Sequence, residues 1–344
     1  MFKRRILYLT LCFLGSIISI GLLAIISDLA GKSPNHFIRQ TPGHVVEGVK
    51  FIDLKKRGYY FAGLDSSYAY LVNQIINNKI LTVNISQGIF LEEIINAPKD
   101  LMISSSAYLS VEDRCPILWD GMKSEIWRGD GNHLFLKYKD KVSSFTKGIL
   151  LSPASYIFLS INKKNENDLI KQERGGRQKT GKGLLQKQID GLFCTDGQLI
   201  KVPNSNRIFY TYFYRNQFMC ADTNLNLLYR GKTIDTNSYA KIKVAKIRST
   251  NQLTLASPPK IINKHTDVNE KYLFIHSGLK ADNETDKVHE ESAVIDVYNV
   301  KDGKYKLSFY LPNFDGKSLN DFKVYGQSLY ALYDHYLYKY QLNF

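Results

Sequence analysis

The chain has 344 residues, of which 44% are hydrophobic, and a formal charge of +14. It contains only four cysteines, so a fold stapled by disulfides is excluded for a domain of this size. Its basic residues are scattered rather than gathered on one segment, which argues against nucleic acid as a partner.

The N-terminus predicts a membrane anchor. Residues 1–5 contain three basic side chains, whereas residues 6–27 contain no charge. As a helix, the second segment is about 33 Å long, enough to cross a hydrocarbon core of about 30 Å. This apolar run is also longer than that of a signal peptide, which favours an uncleaved anchor over a cleaved signal.

The charges predict the orientation of this anchor. Because basic residues stay on the cytoplasmic side, residues 1–5 are expected in the cytoplasm and the following domain in the periplasm. Residues 6–27 then contact the inner membrane, residues 28–44 form a linker, and residues 45–344 form the domain. The chain beyond residue 28 carries 43 basic and 31 acidic residues. Such a balance suits an anionic envelope ligand or an acidic protein, with a solvated basic surface as the alternative.

Beyond residue 45 the sequence predicts short β-strands. Runs rich in aromatic and β-branched residues, such as 68–72, 207–214 and 294–298, alternate with turns that contain Asn, Asp or Gly. The strand and turn pattern recurs about every 45 to 55 residues, which is typical of four-stranded propeller blades. We therefore predict an all-β fold, a single β-propeller of six or seven blades, with a pair of β-sandwiches as the alternative.

Both ends of this domain predict strands, HVVEGVKFID near the start and KYQLNF at the end. An open ring of blades leaves strand edges with unpaired N–H and C=O groups. We therefore expect the strand near 45–52 to pair beside the C-terminal strands at 328–342 and close the ring.

The stretch GGRQKTGKG, residues 175–183, imitates a phosphate-binding loop. From Gly176 it has the frame G-x-x-x-x-G-K, but Gly183 stands where the magnesium ligand Ser or Thr is needed. The segment also lacks a buried strand before it and a convincing helix after it. We interpret it as a flexible basic surface loop and expect no nucleotide.

The second half of the chain resembles a family of membrane-anchored, propeller-like proteins with no assigned activity, common in the Bacteroidota. The stretches that carry the resemblance are YRNQF (214–218), KTIDT (232–236), LKADN (279–283), FYLP (309–312), DFKVYG (321–326) and ALYDHY (331–336). The resemblance covers about residues 190–344. It implies an envelope location and six blades, and it brings no catalytic residue with it.

Few residues indicate chemistry. The seven histidines, His133 among them, are scattered without the spacing of a metal site, so no metal and no cofactor is predicted. A bridge between Cys194 and Cys220 on neighbouring strands stays open as an alternative to free thiols. Ser277 and Lys280 have the Ser-x-x-Lys spacing of some acyl enzymes, but they follow a strand rather than start a helix.

Aromatic alternation gives a low-specificity candidate for ligand binding. Tyr210, Tyr212 and Tyr214 lie on one face of a predicted strand, and Arg215 and Asn216 follow in the turn. Packing between blades is the alternative interpretation. Further candidate ligand-binding residues are Lys280, Asp334 and His335.

The predicted function is a binding or scaffold module for an envelope protein or ligand, by analogy with other propellers. The alternative is an enzyme of lyase, lactonase or quinoprotein type in the central channel. Such a site needs acidic, histidine or arginine side chains that converge from different blades. Three or more acidic or histidine side chains lining the channel would favour the enzyme.

Overall fold

The structure, a computed structural model, describes residues 2–31, 34–74, 79–96, 98, 101–129, 135–249 and 253–344. Helix α1 spans Phe2–Gly31, and its described side chains are those of residues 5, 6 and 8–24. Within the described residues, no helix combines the length and the apolar character needed to cross a membrane.

The domain is a ring of six antiparallel sheets, each with four strands. The sixth blade takes its fourth strand from the N-terminal side, β1 (Val46–Asp53). Blade 1 contains β2 (Tyr59–Leu64), β3 (Tyr68–Asn73), β4 (Lys79–Asn84) and β5 (Phe90–Ile94). Blade 2 contains β6 (Tyr108–Glu112), β7 (Cys115–Asp120), β8 (Glu125–Arg128) and β9 (Tyr138–Lys141). Blade 3 contains β10 (Lys147–Ser152), β11 (Ser155–Ile161), β12 (Asn167–Glu173) and β13 (Gln178–Thr180).

Blades 4 and 5 are separated by a small two-stranded sheet. Blade 4 contains β14 (Gly197–Lys201), β15 (Arg207–Tyr212), β16 (Gln217–Asp222) and β17 (Leu227–Lys232). The small sheet pairs β18 (Val244–Lys246) with β19 (Leu253–Leu255). Blade 5 contains β20 (Asn263–Val268), β21 (Tyr272–Ser277), β22 (Ser292–Asn299) and β23 (Tyr305–Pro312), with the short helix α2 (Asp286–Glu291) between β21 and β22. Blade 6 adds β24 (Asp321–Tyr325), β25 (Ser328–Tyr333) and β26 (Tyr336–Leu342).

The first strand of each blade lies at the centre of the ring, where β2, β6, β10, β14, β20 and β24 surround a channel. Two faces follow from the antiparallel order. The hairpin face carries the turns after the first and third strands of each blade, for example 202–206, 269–271 and 326–327. The linker face carries the turns after the second strands and the connections between blades, for example 213–216, 233–243 and 334–335.

The hydrophobic core consists of six clusters, one at each contact between neighbouring blades. The cluster between blades 4 and 5, for example, joins Phe209 and Phe218 to Leu273 and Tyr298. Each sheet is therefore covered on both faces, so its middle strands are buried almost throughout. The six-bladed propeller is confirmed and the pair of β-sandwiches is wrong.

Ring closure by the N-terminal strand is also confirmed. Strand β1 pairs antiparallel with β26, from Val46 opposite Leu342 to Asp53 opposite Tyr336. The register shifts at Gly48, where a Cβ atom would lie 2.7 Å from the Tyr338 hydroxyl. The side chain of Tyr338 therefore lies directly against the backbone of β1, and a larger residue at position 48 would require it to shift.

Deletion of residues 45–54 tests closure. Loss of the outermost strand of blade 6 exposes its edge and the apolar side chains beneath it, so we expect the whole domain to lose stability cooperatively. Thermal unfolding followed by circular dichroism measures this loss. An unchanged melting temperature with a monomeric chain would contradict closure as the source of stability.

The segment predicted as a linker, 28–44, packs on blade 5 over residues 34–42. Phe37 lies in a small core with Ile262 and Leu279. The backbone of Asn35 donates to Asp282 Oδ1 at 2.7 Å, and the carbonyl of Gln40 accepts the Ser308 N–H at 2.8 Å. We call residues 34–42 the strap.

The strap places one arginine inside blade 5. The side chain of Arg39 is fully buried and lies 2.8 Å from Asp296 Oδ1 and 2.7 Å from Glu284 Oε1. It also donates to the carbonyl of Leu279 at 3.0 Å. Burial disfavours the charged guanidinium, but the two carboxylates outweigh this effect and hold the pKa of Arg39 above its ordinary value. The strap thereby neutralises acids that the blade could not bury alone.

Replacement of Arg39 by Met should cost about 3 to 5 kcal/mol of unfolding free energy, because it leaves buried carboxylates without a counter-charge. Urea unfolding measures the loss. The matched control is Arg57→Met: the Arg57 side chain is 72% exposed and 3.1 Å from Asp334. That exposed pair should contribute no more than about 1 kcal/mol. Equal effects of the two substitutions would contradict the role assigned to the strap.

Candidate functional site

The predicted aromatic platform is mostly interior. Tyr210 and Tyr212 on β15 are fully buried in the cluster between blades 3 and 4. The Tyr210 hydroxyl donates to the carbonyl of Thr195 at 2.7 Å, and the Tyr212 hydroxyl accepts the N–H of Gln186 at 3.1 Å. The prediction of an exposed platform is wrong for these two residues. Both faces of a propeller blade are covered by neighbouring blades, so alternation along the strand exposes neither ring.

The two polar residues after β15 are buried as well. The Arg215 guanidinium carbon lies 3.7 Å from the centroid of the Tyr212 ring, and its Nη2 donates to the carbonyl of Gln186 at 2.6 Å. The Asn216 side chain donates to the carbonyl of Asp235. Arg215 and Asn216 therefore brace the loops of the linker face and are not ligand-binding surface residues.

Tyr214 is the part of the platform that reaches a cavity. It lines a cleft of about 250 Å³ on the linker face together with Asn35, Thr236 and Tyr239. The cleft forms where the strap meets the segment between blades 4 and 5. Its lining is mainly polar. Of the three tyrosines of the predicted platform, only Tyr214 lines it, so the three rings do not form one stacking surface.

The remaining candidates lie on the linker face but on different blades. Lys280 pairs with Asp286 at the start of α2. Asp334 and His335 form the turn between β25 and β26, with His335 Nδ1 3.3 Å from Asp334 Oδ2. Asp334 also pairs with the exposed Arg57. These contacts fix the turns of blades 5 and 6, and they do not bring the candidates into one site.

The channel holds polar residues that the sequence did not single out. Inner strands bring Glu112, His265, Asp267 and Asp321 to the centre from three different blades. No sequence pattern identifies them, because they lie on three short strands and the other three residues are 153 to 209 positions from Glu112. These four side chains exceed the three acidic or histidine side chains that would favour an enzyme site in the channel. Whether they are available for catalysis depends on the groups to which they are bonded.

Most of these side chains bind the backbone of a neighbouring inner strand. Asp321 on β24 accepts the Phe61 N–H of β2 at 2.9 Å. His265 on β20 lies 3.1 Å from the Phe322 carbonyl and from Asp321 Oδ1. Asp267 accepts the Val324 N–H. These side chains therefore connect neighbouring blades, and the hydrogen bonds that do so occupy their polar atoms.

Three neutral side chains and one lysine make the same connection elsewhere in the ring. The Tyr60 hydroxyl accepts the Leu109 N–H at 3.0 Å, and the Tyr108 hydroxyl accepts the Gly148 N–H at 2.8 Å. Gln198 accepts the Thr266 N–H at 2.8 Å. Lys147 donates to the carbonyl of Gly197. Inner strands do not pair as a sheet, so these side chains satisfy backbone groups that face the channel.

Glu112 differs from the other channel acids. It ends β6 at the hairpin-face end of the channel, where the nearby backbone N–H of Leu150 favours the charged carboxylate and acts to lower its pKa. Burial raises the pKa of Glu112 to about 7, although Lys201 and Lys323 act in the opposite direction. A carboxyl group with this pKa can exchange a proton near neutral pH, which is a property of general acids and bases.

Replacement of Glu112 by Gln tests this pKa. An unfolded glutamate ionises near pH 4.3, so between about pH 4.3 and 7 the folded chain binds the extra proton and loses stability as the pH rises. Glutamine keeps the neutral shape, so we expect it to gain unfolding free energy relative to wild type at about pH 8 but not at about pH 4.

Urea unfolding at the two pH values measures the difference. The matched control is Glu270→Gln, because Glu270 is exposed on the hairpin face. If Glu112→Gln changes stability by the same amount at both pH values, Glu112 does not have the raised pKa.

The hairpin face carries three clefts between blades. The cleft between blades 5 and 6 has a volume of about 350 Å³ and is lined by Tyr272, Tyr325 and Phe344 with a rim that includes Asn204 and Glu270. The ring centroids of Tyr272 and Phe344 are 5.4 Å apart. Clefts of about 480 Å³ and 700 Å³ follow between blades 4 and 5 and between blades 3 and 4.

The stretch 175–183 is an ordered hairpin rather than a flexible loop. It forms the turn after β12 and the outer strand β13, with Ile170 opposite Thr180. Gly175 and Gly176 take φ values of 94° and 91°, which side chains rarely adopt. The segment continues from strand to strand, so it lacks the helix N-terminus of a phosphate-binding loop.

The cysteines and histidines form no joint site in the described residues. All four cysteines are free thiols, so Cys194 and Cys220 are not bridged. Across the described ranges no three His, Cys, Asp or Glu residues have the arrangement of a metal site. His133 lies outside the described residues.

Comparisons with solved structures show the fold. An exported protein of Bacteroides fragilis is similar with 10% identity and a TM-score of 0.53, over 88% of this chain and 97% of that one. A member of the DUF4221 family from Bacteroides vulgatus has 11% identity and a TM-score of 0.55, over 88% and 99%. Virginiamycin B lyase from Staphylococcus aureus has 9% identity and a TM-score of 0.48, over 87% and 99%, which is too distant to bear on function.

No family model matches the chain, and no curated protein matches it. The resemblance to Bacteroidota propellers is supported for the six-bladed fold alone, because the two Bacteroides proteins are similar to this chain in structure.

Proposed function

We propose that this chain is a membrane-anchored periplasmic propeller that binds an envelope protein through its hairpin face. The observation that carries the proposal is the cleft of about 350 Å³ between blades 5 and 6. It combines aromatic side chains with a rim of amide and charged groups, the composition found at protein interfaces.

The hydrogen bonds that the channel side chains already make favour a binding function over catalysis. Asp321, His265 and Asp267 are hydrogen-bonded to the backbone of neighbouring inner strands. Glu112 is the observation that favours the alternative, an enzyme with a site in the channel, because its pKa lies near neutrality. One such carboxyl group without a free partner does not make a catalytic constellation.

Two observations support an exported, anchored location. Residues 6–27 contain no charge, and the described part of α1 exposes apolar side chains such as Leu9, Phe13 and Leu23. Exposed apolar surface of this extent needs a cover, which a lipid bilayer supplies. The similarity to an exported Bacteroides propeller agrees with export.

Alkaline extraction of membranes tests the anchor. We expect the full-length chain to stay in the membrane fraction, because burial of the apolar helix in lipid does not depend on charge. Protease added to spheroplasts should reach residues beyond 31. Release of a shortened, soluble chain would show a cleaved signal instead.

A photo-crosslinking amino acid at Tyr325 tests the binding face. The Tyr325 side chain is 47% exposed and lines the cleft between blades 5 and 6. We expect irradiation of intact cells to give one main crosslinked protein from this position. The matched control is Leu228 on the outer strand of blade 4, which is equally exposed and lies away from the cleft.

A second substitution makes the crosslink specific. Glu270→Lys reverses a charge on the rim of the same cleft and should reduce the crosslink at least several-fold. Binding at this cleft would be contradicted if Tyr325 and Leu228 gave the same crosslinked proteins and Glu270→Lys left both sets unchanged.

A further inference from the structure

The segment between blades 4 and 5, residues 233–262, is a strongly basic extension of the linker face. Its basic side chains are all exposed: Lys241, Lys243, Lys246, Arg248 and Lys260. None of them has a carboxylate partner among the described residues. The only acidic residue, Asp235, is buried and bonded to Thr233 and Asn237. We call residues 233–249 and 253–262 the basic extension.

The basic extension also exposes apolar side chains. Tyr239 is 56% exposed, Ile261 44% and Ile247 41%. Its base is held in place, because Ala240 and Ile242 pack in a core with Cys194. Lysine and arginine beside tyrosine and isoleucine is the composition of protein surfaces that lie at the boundary of a membrane.

The basic extension lies where the chain arrives from α1. The Thr236 hydroxyl donates to the Asn35 carbonyl at 2.8 Å. The cleft of about 250 Å³ is lined by the strap residues Asn35 and His36 together with Lys241 and Lys260. Helix α1 ends at Gly31, so three residues separate it from Asn35, and the four Cα–Cα steps between them span at most about 14 Å. A bilayer that holds α1 is therefore within reach of the basic extension.

We propose that the basic extension binds the headgroups of anionic phospholipids in the membrane that holds α1. The inference rests on the proposed anchor. Five positive charges that have no carboxylate partner in the described part of the chain favour phosphate groups, and each contributes about 1 kcal/mol near an anionic surface. The exposed isoleucines and Tyr239 enter the interface beside the headgroups. Binding there turns the linker face toward the membrane and leaves the hairpin face open to a protein partner.

Lysine labelling of the full-length chain tests the proposal. The chain is placed in nanodiscs of phosphatidylcholine, with or without phosphatidylglycerol, and treated with an amine-reactive reagent. Peptide mass spectrometry then gives the modification rate of each lysine. We expect phosphatidylglycerol to slow modification of Lys241, Lys246 and Lys260 several-fold, and added salt to reverse the effect. Lys271 and Lys301, exposed on the hairpin face, should react at the same rate in both lipids.

Charge variants assign the effect to the basic extension. In the variant K241Q/K243Q/K246Q, Lys260 should lose its protection by phosphatidylglycerol. The matched control K271Q/K301Q/K304Q removes three exposed charges from the hairpin face and should keep that protection. Unchanged melting temperatures of both variants exclude misfolding as the cause.

The outcomes separate this inference from the anchor. Equal labelling of Lys260 in both lipids, in a chain that resists alkaline extraction, overturns lipid binding and leaves an acidic protein as the partner of the basic extension. If alkali releases the chain, the anchor proposal fails. Labelling with phosphatidylglycerol vesicles added to the released chain then decides lipid binding: protection of Lys260 supports it, and no protection overturns it.

Discussion

Burial of both faces of every blade is the constraint on which this structure depends. A sheet with one solvated face alternates apolar and polar residues, but β15 and β25 are buried at nearly every position. Such a sheet is stable only between two neighbours, and a row of sheets ends at two uncovered faces unless it closes. The six clusters between blades exist as a set because β1 completes blade 6 against β26. Stability of the first blade thus depends on residues at the end of the chain.

Closure of the ring creates a second constraint at its centre. The inner strands approach one another without forming a sheet, so their backbone groups need partners from side chains. Asp321, His265, Tyr60 and Tyr108 supply them across blade boundaries. Polar residues in the channel are therefore explained by the backbone they satisfy. The number of acids in the channel is therefore less informative about chemistry than the one carboxyl group whose pKa burial raises to near neutrality, that of Glu112.

The fold could be predicted from the sequence because its signals are local or repeated. Aromatic strands, Asn and Asp turns and a period near 50 residues identify blades. A strand at each end predicts closure. The candidate site could not be predicted in the same way. The alternation of Tyr210 and Tyr212 predicts an exposed aromatic face only where one face of the sheet is open to solvent, and both faces of this blade are covered. Arg39 gave no signal at all, since its partners Glu284 and Asp296 lie 245 and 257 positions away.

The strap connects these constraints to the two faces of the molecule. Its buried Arg39 fixes the path of the chain onto blade 5, so the end of α1 is tied to the linker face rather than free to move around the ring. A flexible linker of the same length would leave either face able to meet the membrane. With the strap in place, the basic extension is the surface beside the end of α1, and the clefts between blades 3 to 6 lie at the opposite end of the sheets. Two acids buried in one blade therefore determine which face of the propeller lies beside the end of α1.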